Sequence, residues 1–294
     1  MIESIIIGGL MTSMIYALLA LGFTLIYGVS GVVNLAHGTF FMIGAYMFYL
    51  VTSGVFDLDP GLGLIAATVI VGIIGALIYR ILIHPVIRDE LSTLVVTVCL
   101  AVATQQLVLL LDTKGLFMVP VQTIVPNYTT FWGVTLTYSS ILAFGICAAL
   151  YISLWIFISK AKIGKAMRAA SQDLEATMLM GVNTTRVYIL TMALSTALAA
   201  VAGISVSSAY LGVAYPYMWF HPLALSFAIV ILGGLGSIKG TLLGGFIVGY
   251  AETVVQTLYP TSASIVTVVP MGIIVLVLIL RPKGLFGKRV ELEE

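Results

Sequence analysis

The stretch whose reading decides the fold is residues 4–56, SIIIGGLMTSMIYALLALGFTLIYGVSGVVNLAHGTFFMIGAYMFYLVTSGVF, 53 positions without an acid, a lysine or an arginine. A membrane-spanning helix needs roughly 20 apolar residues, so the run holds two spans. Gly28-Val29-Ser30-Gly31 and the polar stretch Asn34 to Thr39 mark the break between them. Outward from there, further charge-free runs place spans at 60–79, 91–111 and 140–158. Two more lie within 187–238, parted near Tyr215-Pro216 and His221-Pro222, followed by 240–258 and 264–280. That makes nine. The count falls to eight if Asn34 to Tyr46 is re-entrant. The stretch that carries Pro120, Gln122, Pro126, Asn127, Thr129, Thr130 and Trp132 reads as a polar, aromatic loop.

The remainder of the 294 residues agrees with this reading. Apolar residues make up 61% and charged ones 9%, with a mean hydropathy of +1.16. A soluble domain is about 45–50% apolar and about 25% charged, so the water-soluble classes are excluded. The chain is expected to be an all-α polytopic membrane protein, a single transmembrane domain over 1–294. A net charge of +1 argues for no nucleic-acid partner. Cys99 and Cys147 sit in apolar runs, without metal-ligand spacing or a disulfide framework. Met1-Ile2-Glu3 lacks a basic n-region and the apolar stretch behind it is too long for a signal peptide, so it is expected to stay as the first span.

The positive-inside rule supplies orientation. Numbering the loops from an outside N-terminus puts twelve of the thirteen basic residues on the inner side, including Arg80, Arg88, Arg168, Arg186, Lys239 and the tail. Only Lys114, beside Asp112, falls outside. Asp57, Asp59 and the cluster Tyr215, Tyr217, Trp219, Phe220 land on the outer face.

The inner loop 159–186 carries more than a turn requires. Asp173 suits a helix N-cap, Glu175 a first turn and Gly181 a left-handed C-cap. Between them Leu174, Met178 and Leu179 make an apolar stripe on a helix of about two turns, which is marginal in water unless buried. Its cover is either the chain's own helices or a partner; an interfacial helix held by lysines and anionic lipid is the alternative.

Glu175-Ala176-Thr177-x-x-x-Gly181 resembles the Glu-Ala-Ala-x-x-x-Gly signature of ABC importer permeases, with Thr177 for the second alanine. Gly22-Phe23-Thr24-Leu25-Ile26-Tyr27-Gly28 and Asn34-Leu35-Ala36-His37-Gly38 with Gly44-Ala45-Tyr46 resemble the branched-chain amino-acid permease family, LivH type. So do Gly233-Gly234-Leu235-Gly236-Ser237 and Arg281-Pro282-Lys283-Gly284-Leu285-Phe286-Gly287, all in order from about residue 8 to 287. The resemblance implies the branched-chain amino-acid/ribose permease fold, in which the Glu-Ala-Ala segment is a coupling helix seated in a groove of a cytoplasmic ATPase. Carried over, Asp173, Glu175, Ala176 and Gly181 set the geometry, while Leu174, Met178 and Leu179 supply the buried contact.

It also implies partners: a second, related permease subunit, two cytoplasmic ABC ATPase subunits, and an extracytoplasmic solute-binding protein docked on loops 112–139 and 211–222. The setting is a prokaryotic inner membrane, with the C-terminus cytoplasmic. ATP and Mg belong to the ATPases, and the chain itself is expected to hold no cofactor and no metal. It has no Gly-x-x-x-x-Gly-Lys-Ser/Thr loop, and the run from Gly284 to Arg289 has the wrong spacing and no hydroxyl. The expected cargo is leucine, isoleucine, valine or another neutral amino acid, with relatives that carry urea or short amides as an alternative.

Four polar residues are candidates for the translocation path. Glu252 is the one acid within a span, roughly 18 Å from Gly240 at 1.5 Å per residue. Gly245, Gly249, Glu252 and Gln256 share one helix face, small below and polar above. A charge at that depth costs about 2.5–3.5 kcal/mol, so Glu252 is protonated, paired or in water; it either borders the path or bonds a neighbouring helix. Asn34 and His37 flank the glycine-rich break, and a break is tolerated where it is buried in protein or lines water. His37 either lines that path or caps the helix starting near Gly38. Gln105 and Gln106 are adjacent, so one at most faces inward. The rival function is an ion-coupled secondary transporter with Glu252 as proton site. A membrane enzyme lacks any cluster at ligand spacing. A short echo links His37-Gly38-Thr39 with Lys239-Gly240-Thr241, each followed by a tyrosine, Tyr46 and Tyr250.

Overall fold

The computed structural model describes residues 1–54, 56–87, 89–111 and 118–259, with scattered positions beyond. The helices are α1 (Ile2–Ser30), α2 (His37–Tyr49), α3 (Pro60–Ile78), α4 (Glu90–Leu111) and α5 (Tyr138–Lys160). Then follow α6 (Lys162–Ala170), α7 (Leu174–Leu179), α8 (Thr184–Val206), α9 (Phe220–Gly233) and α10 (Ile238–Leu258). Wider π-type turns extend α2 over Leu50–Gly54, α3 over Tyr79–Ile83 and α8 over Ser207–Leu211.

Among the described residues six helices are long and apolar enough to cross a membrane: α1, α3, α4, α5, α8 and α10. Two of the nine expected spans are shorter than the charge-free runs suggested, with 13 residues in α2 and 14 in α9. The run continues past each helix because the adjoining loop carries no charge. The expected span 264–280 lies, apart from isolated helical positions, outside the described residues.

The chain is also not wholly helical. The loop after α4 contains β2 (Tyr128–Phe131) and β3 (Val134–Thr137), an antiparallel hairpin turning at Trp132-Gly133, both with positive φ as a two-residue primed turn demands. Its β1 (Val119–Pro120) pairs with β4 (Val213–Ala214), joining the two loops that were both expected on the outer face.

Side-chain caps set the starts of most long helices. Asp59 accepts from Gly61 N ahead of Pro60, Thr137 from Ser140 N, Asn183 from Arg186 N and Ser237 from Gly240 N. At its far end α9 is closed from a distance: Leu285 N donates to Leu232 O at 2.8 Å and Phe286 N to Gly233 O at 3.1 Å. Two terminal carbonyls that a helix leaves open are thereby satisfied.

Packing centres on α1, which is flanked by α5, α8, α9 and α10. It runs antiparallel to α10. The Thr24 and Thr241 hydroxyls meet at 2.6 Å and those of Thr12 and Thr253 at 3.0 Å, with Gly245 and Gly249 against Ala17 and Ser13 between them. A Cβ on Gly245 would lie 2.6 Å from that of Ala17, so the helix axes approach as closely as small residues permit. The same scheme recurs where α3 meets α8: Gly72 and Gly75 face Ala193, Thr196 and Ala197, and the Tyr79 and Tyr188 rings lie 6.0 Å apart.

These pairings reveal an internal repeat. As α10 lies on α1, so α3 lies on α8; as α9 packs on α1, so α2 packs on α8. Both long helices end at a left-handed glycine, Gly31 (φ 70) and Gly212 (φ 68), followed by valine, an irregular segment and a short buried helix. The two short helices touch near their starts, Gly38 lying against Trp219 O and Leu223. The repeat therefore matches α1–α3 with α8–α10, and His37 stands opposite His221 in order, not Lys239.

Candidate functional site

Loop 159–186 folds into an elbow of α6 and α7 against the start of α8. On α6, Gly164, Met167 and Ala170 are buried while Lys162, Lys165 and Arg168 face out. Met167 and Ala170 form a small apolar cluster with Val29 and Val187, against which Leu174 and Val182 pack. α6 thus has the amphipathic, basic character of an interfacial helix, whereas α7 does not.

Six residues long, α7 is held at both ends. Asp173 Oδ1 accepts from Ala176 N at 2.9 Å, and Gly181, at φ 80, lets the chain reverse. Thr177, the departure from the signature, is buried and its hydroxyl donates to Asp173 O at 2.6 Å, closing the turn from inside. Glu175 and Ala176 face outward. The expected stripe is divided: Leu174 turns in, while Met178 is 48% and Leu179 88% exposed. Met180, absent from the expected set, is 84% exposed beside them. Leu174 and Thr177, three apart, share the inward face; Met178, one turn on from Leu174, stands half-exposed at its edge, and Leu179 and Met180 project outward. Spacing alone could have found this had Thr177 been counted as apolar.

Within the bundle Glu252 is 2% exposed. Its Oε1 accepts from Tyr16 Oη of α1 at 3.1 Å and from Gln256 Nε2 at 3.0 Å, and His221 Nε2 of α9 stands 3.9 Å away. Neither Glu252 Oε2 nor His221 Nε2 has a hydrogen-bond partner among the described residues. The carboxylate ties α10 to α1, stands beside His221 of α9 without a hydrogen bond to it, and leaves an acceptor oxygen uncommitted. Tyr16 and His221 were not among the expected site residues. Tyr16 gives no local signal because its partner lies 236 positions away.

Asn34 and His37 form a separate group. Asn34 Oδ1 accepts from Ala36 N at 3.0 Å, which sets the turn into α2. His37 is the first residue of α2 and does not cap it; the ring crosses to α1, with Nε2 3.0 Å from Leu19 O. Its Nδ1 lies 3.4 Å from Ser195 Oγ, whose proton goes to Gly22 O at 2.6 Å. The ring is wholly buried, edge-on to Phe23, and pins the break to α1 and α8. No hydrogen bond joins this pair to Glu252 and Gln256 among the described residues. Gln105 turns inward and accepts from Trp219 Nε1 at 2.6 Å, while Gln106 faces out. No group of three His, Cys, Asp or Glu stands at metal-binding distance among the described residues.

The family model for the branched-chain amino acid transport system, permease component, matches residues 5–278. BraD of Pseudomonas aeruginosa, a high-affinity branched-chain amino acid transport system permease protein, is 33% identical over 96% of this chain and 95% of that protein. LivH of Escherichia coli, of the same description, is 32% identical over 93% and 91%. LivM of Salmonella typhimurium, likewise a permease protein of such a system, is 26% identical over 93% of this chain and 68% of its own length. Among solved structures, PsaBC from Streptococcus pneumoniae in complex with Fab shares the fold, with a TM-score of 0.55 at 14% identity over 96% and 97% of the chains. Motifs, membrane helices and these matches agree: the chain is a multi-pass membrane protein that belongs to the branched-chain amino acid transport system permease component family.

Proposed function

We propose that the chain is one transmembrane half of an ATP-driven importer that moves branched-chain or other neutral amino acids into the cytoplasm. The observation that carries this reading is α7. A helix of six residues, fixed by the Asp173 cap and the left-handed Gly181, holds Met178, Leu179 and Met180 outward, and none of the described residues covers them. So short a helix has no stability of its own; the bundle holds it in place and a partner covers its tip. A nucleotide-hydrolysing subunit docked there converts its closure into a push on α7, and through Leu174 and Val182 on the Met167–Val187 cluster at the start of α8.

A second permease subunit, two ATPases and an extracytoplasmic binding protein complete the assembly. BraD, LivH and LivM are each named as permease proteins of high-affinity branched-chain amino acid systems, and the matches to both LivH and LivM favour a pair of related subunits. With the basic loops inside, α6, α7 and the tail lie on the cytoplasmic face. The binding protein then meets the loops joined by β1 and β4. The ion-coupled reading is the weaker one because it gives α7 no task.

The test is Leu179→Asp in the full chain, expressed with its neighbouring genes. An exposed side chain can be charged without harming the fold, so the variant enters the membrane normally. It is expected to lose co-purifying ATPase and ATP-dependent uptake of leucine. Undiminished uptake and association would overturn the coupling role. Uptake driven by this chain alone in proteoliposomes, without ATP, would overturn the importer.

A further inference from the structure

The two ends of α9 are fastened differently. At its C-terminal end Gly233 and Gly240 bring α9 and α10 into backbone contact, and a Cβ on Gly244, one turn further along α10, would lie 2.6 Å from Ile229 O. The tail holds that end as well, with Leu285 N and Phe286 N on the Leu232 and Gly233 carbonyls. Gly284, at φ 70, sits so close to Ile231 O and Gly234 that a side chain there has no room.

The start of α9 has no side-chain cap, and it faces two sets of contacts. One is made. Gly38 of α2 lies against Trp219 O and Leu223, and Trp219 Nε1 donates to Gln105 Oε1 of α4 at 2.6 Å. The other is open. His221 Nε2 stands 3.9 Å from Glu252 Oε1, about 1 Å beyond an N–H···O bond. His221 Nε2 and Glu252 Oε2 are both enclosed, and neither has a hydrogen-bond partner among the described residues. A buried polar group without a partner is costly, so the pair gains by closing. From Gly233 to His221 α9 runs about 18 Å at 1.5 Å per residue. A tilt of about 3° about its glycine end therefore closes the gap.

We infer that α9 is a two-position lever: its end is pivoted where Gly233, Gly240 and the tail hold it, and its start exchanges the Gly38 and Gln105 contacts for a hydrogen bond from His221 Nε2 to Glu252. The structure shows the first position. In the second, α9 leans on α10 and away from α2, so the two halves of the internal repeat part where their short helices touch. A few degrees of tilt about a packed hinge is an ordinary motion for such an element. Any oxygen at position 252 accepts the bond, so the charge of Glu252 is not needed. The lever belongs to this chain alone and is independent of what the protein transports.

The test is nuclear magnetic resonance of the full chain in lipid bilayers with isotope-labelled histidine. The sequence has three histidines, and the signal lost in His221→Gln is the one to follow. A bonded Nε2–H resonates apart from a free one. The expected spectrum holds both forms of His221, and the bonded form disappears in Glu252→Leu but not in Glu252→Gln. Two variants release the start of α9. Gln105→Leu removes one hydrogen bond and should raise the bonded-to-free ratio about fivefold, the worth of one such bond. Gly38→Ala pushes a methyl group onto Trp219 O and Leu223 and should raise the ratio too. The His37 signal, from a buried ring beside Leu19 O, shows in each variant that the bundle is intact, and Gln105→Leu decides alone if Gly38→Ala loses it. A single His221 form, the same in wild type and Glu252→Leu, would overturn the lever. So would a ratio that release of the Gln105 bond does not move.

Discussion

The Tyr16 hydroxyl donates to the Glu252 carboxylate across 3.1 Å, so a residue near the middle of the first helix closes on one in the last two turns of the tenth. The contact exists because α1 and α10 are antiparallel and Gly245 and Gly249 let them touch. Small residues bring the helices together at one level, and the carboxylate ties them at the next.

Glu252 is expected to serve as a hydrogen-bond acceptor, for which charge is unnecessary. Glu252→Gln keeps an oxygen facing Tyr16, and ATP-driven uptake should persist near the wild-type rate without a new pH dependence. Glu252→Leu leaves the Tyr16 hydroxyl unpaired and should cost about 1–3 kcal/mol, seen as a lower melting temperature in detergent. Complete loss of transport in the glutamine variant would restore the proton-site reading.

Filling the α1–α10 contact should destabilise the bundle. Gly245→Val and Gly249→Val each place atoms where Ala17 and Ser13 already stand, at a cost of about 1–3 kcal/mol for overpacking. Thermal unfolding of the purified chain is the readout. Gly145, with nothing near its missing side chain, is the control position, and Gly145→Ala inside α5 should leave the melting temperature unchanged or raise it, alanine being the better helix former.

At α7 cap and turn can be separated from contact. Asp173→Ala removes the bond to Ala176 N and should weaken the helix by about 1 kcal/mol. Gly181→Val forces a β-branched residue to φ 80 and should cost about 1–2 kcal/mol or more. Both should reduce ATPase association, with valine worse. Gly181→Asn, which tolerates the left-handed region, should recover most of it.

The Gln105–Trp219 bond is the side-chain link from α4 to the start of α9. A double-mutant cycle with Gln105→Leu and Trp219→Phe should show a coupling of about 0.5–1.5 kcal/mol. Hydrogen exchange of α4 amides should rise in either single variant. A coupling of zero would mean that α4 is held by its neighbours alone.

Much of this was legible from residue order. The charge-free runs located every long helix among the described residues, because apolar length is a local property that a bilayer reads directly. Asp173 and Gly181 announced α7, since a cap and a left-handed stop depend only on their own few residues. The face shared by Gly245, Gly249, Glu252 and Gln256 likewise followed from helical spacing.

What the order of residues could not contain is which distant positions meet. That α2 and α9 are short, that β1 pairs with β4, and that Leu285 and Phe286 close the end of α9 all depend on contacts far apart in the chain. Thr177 turned inward and Leu179 outward because α6 and α8 occupy one side of α7 and no described residue packs on the other. His37 left the helix start to bond Leu19 O, since a buried ring takes the nearest acceptor in three dimensions. Hydropathy and capping are summed along the chain and so belong to the sequence; burial and hydrogen-bond partners are settled by neighbours in space, and those only the folded bundle decides.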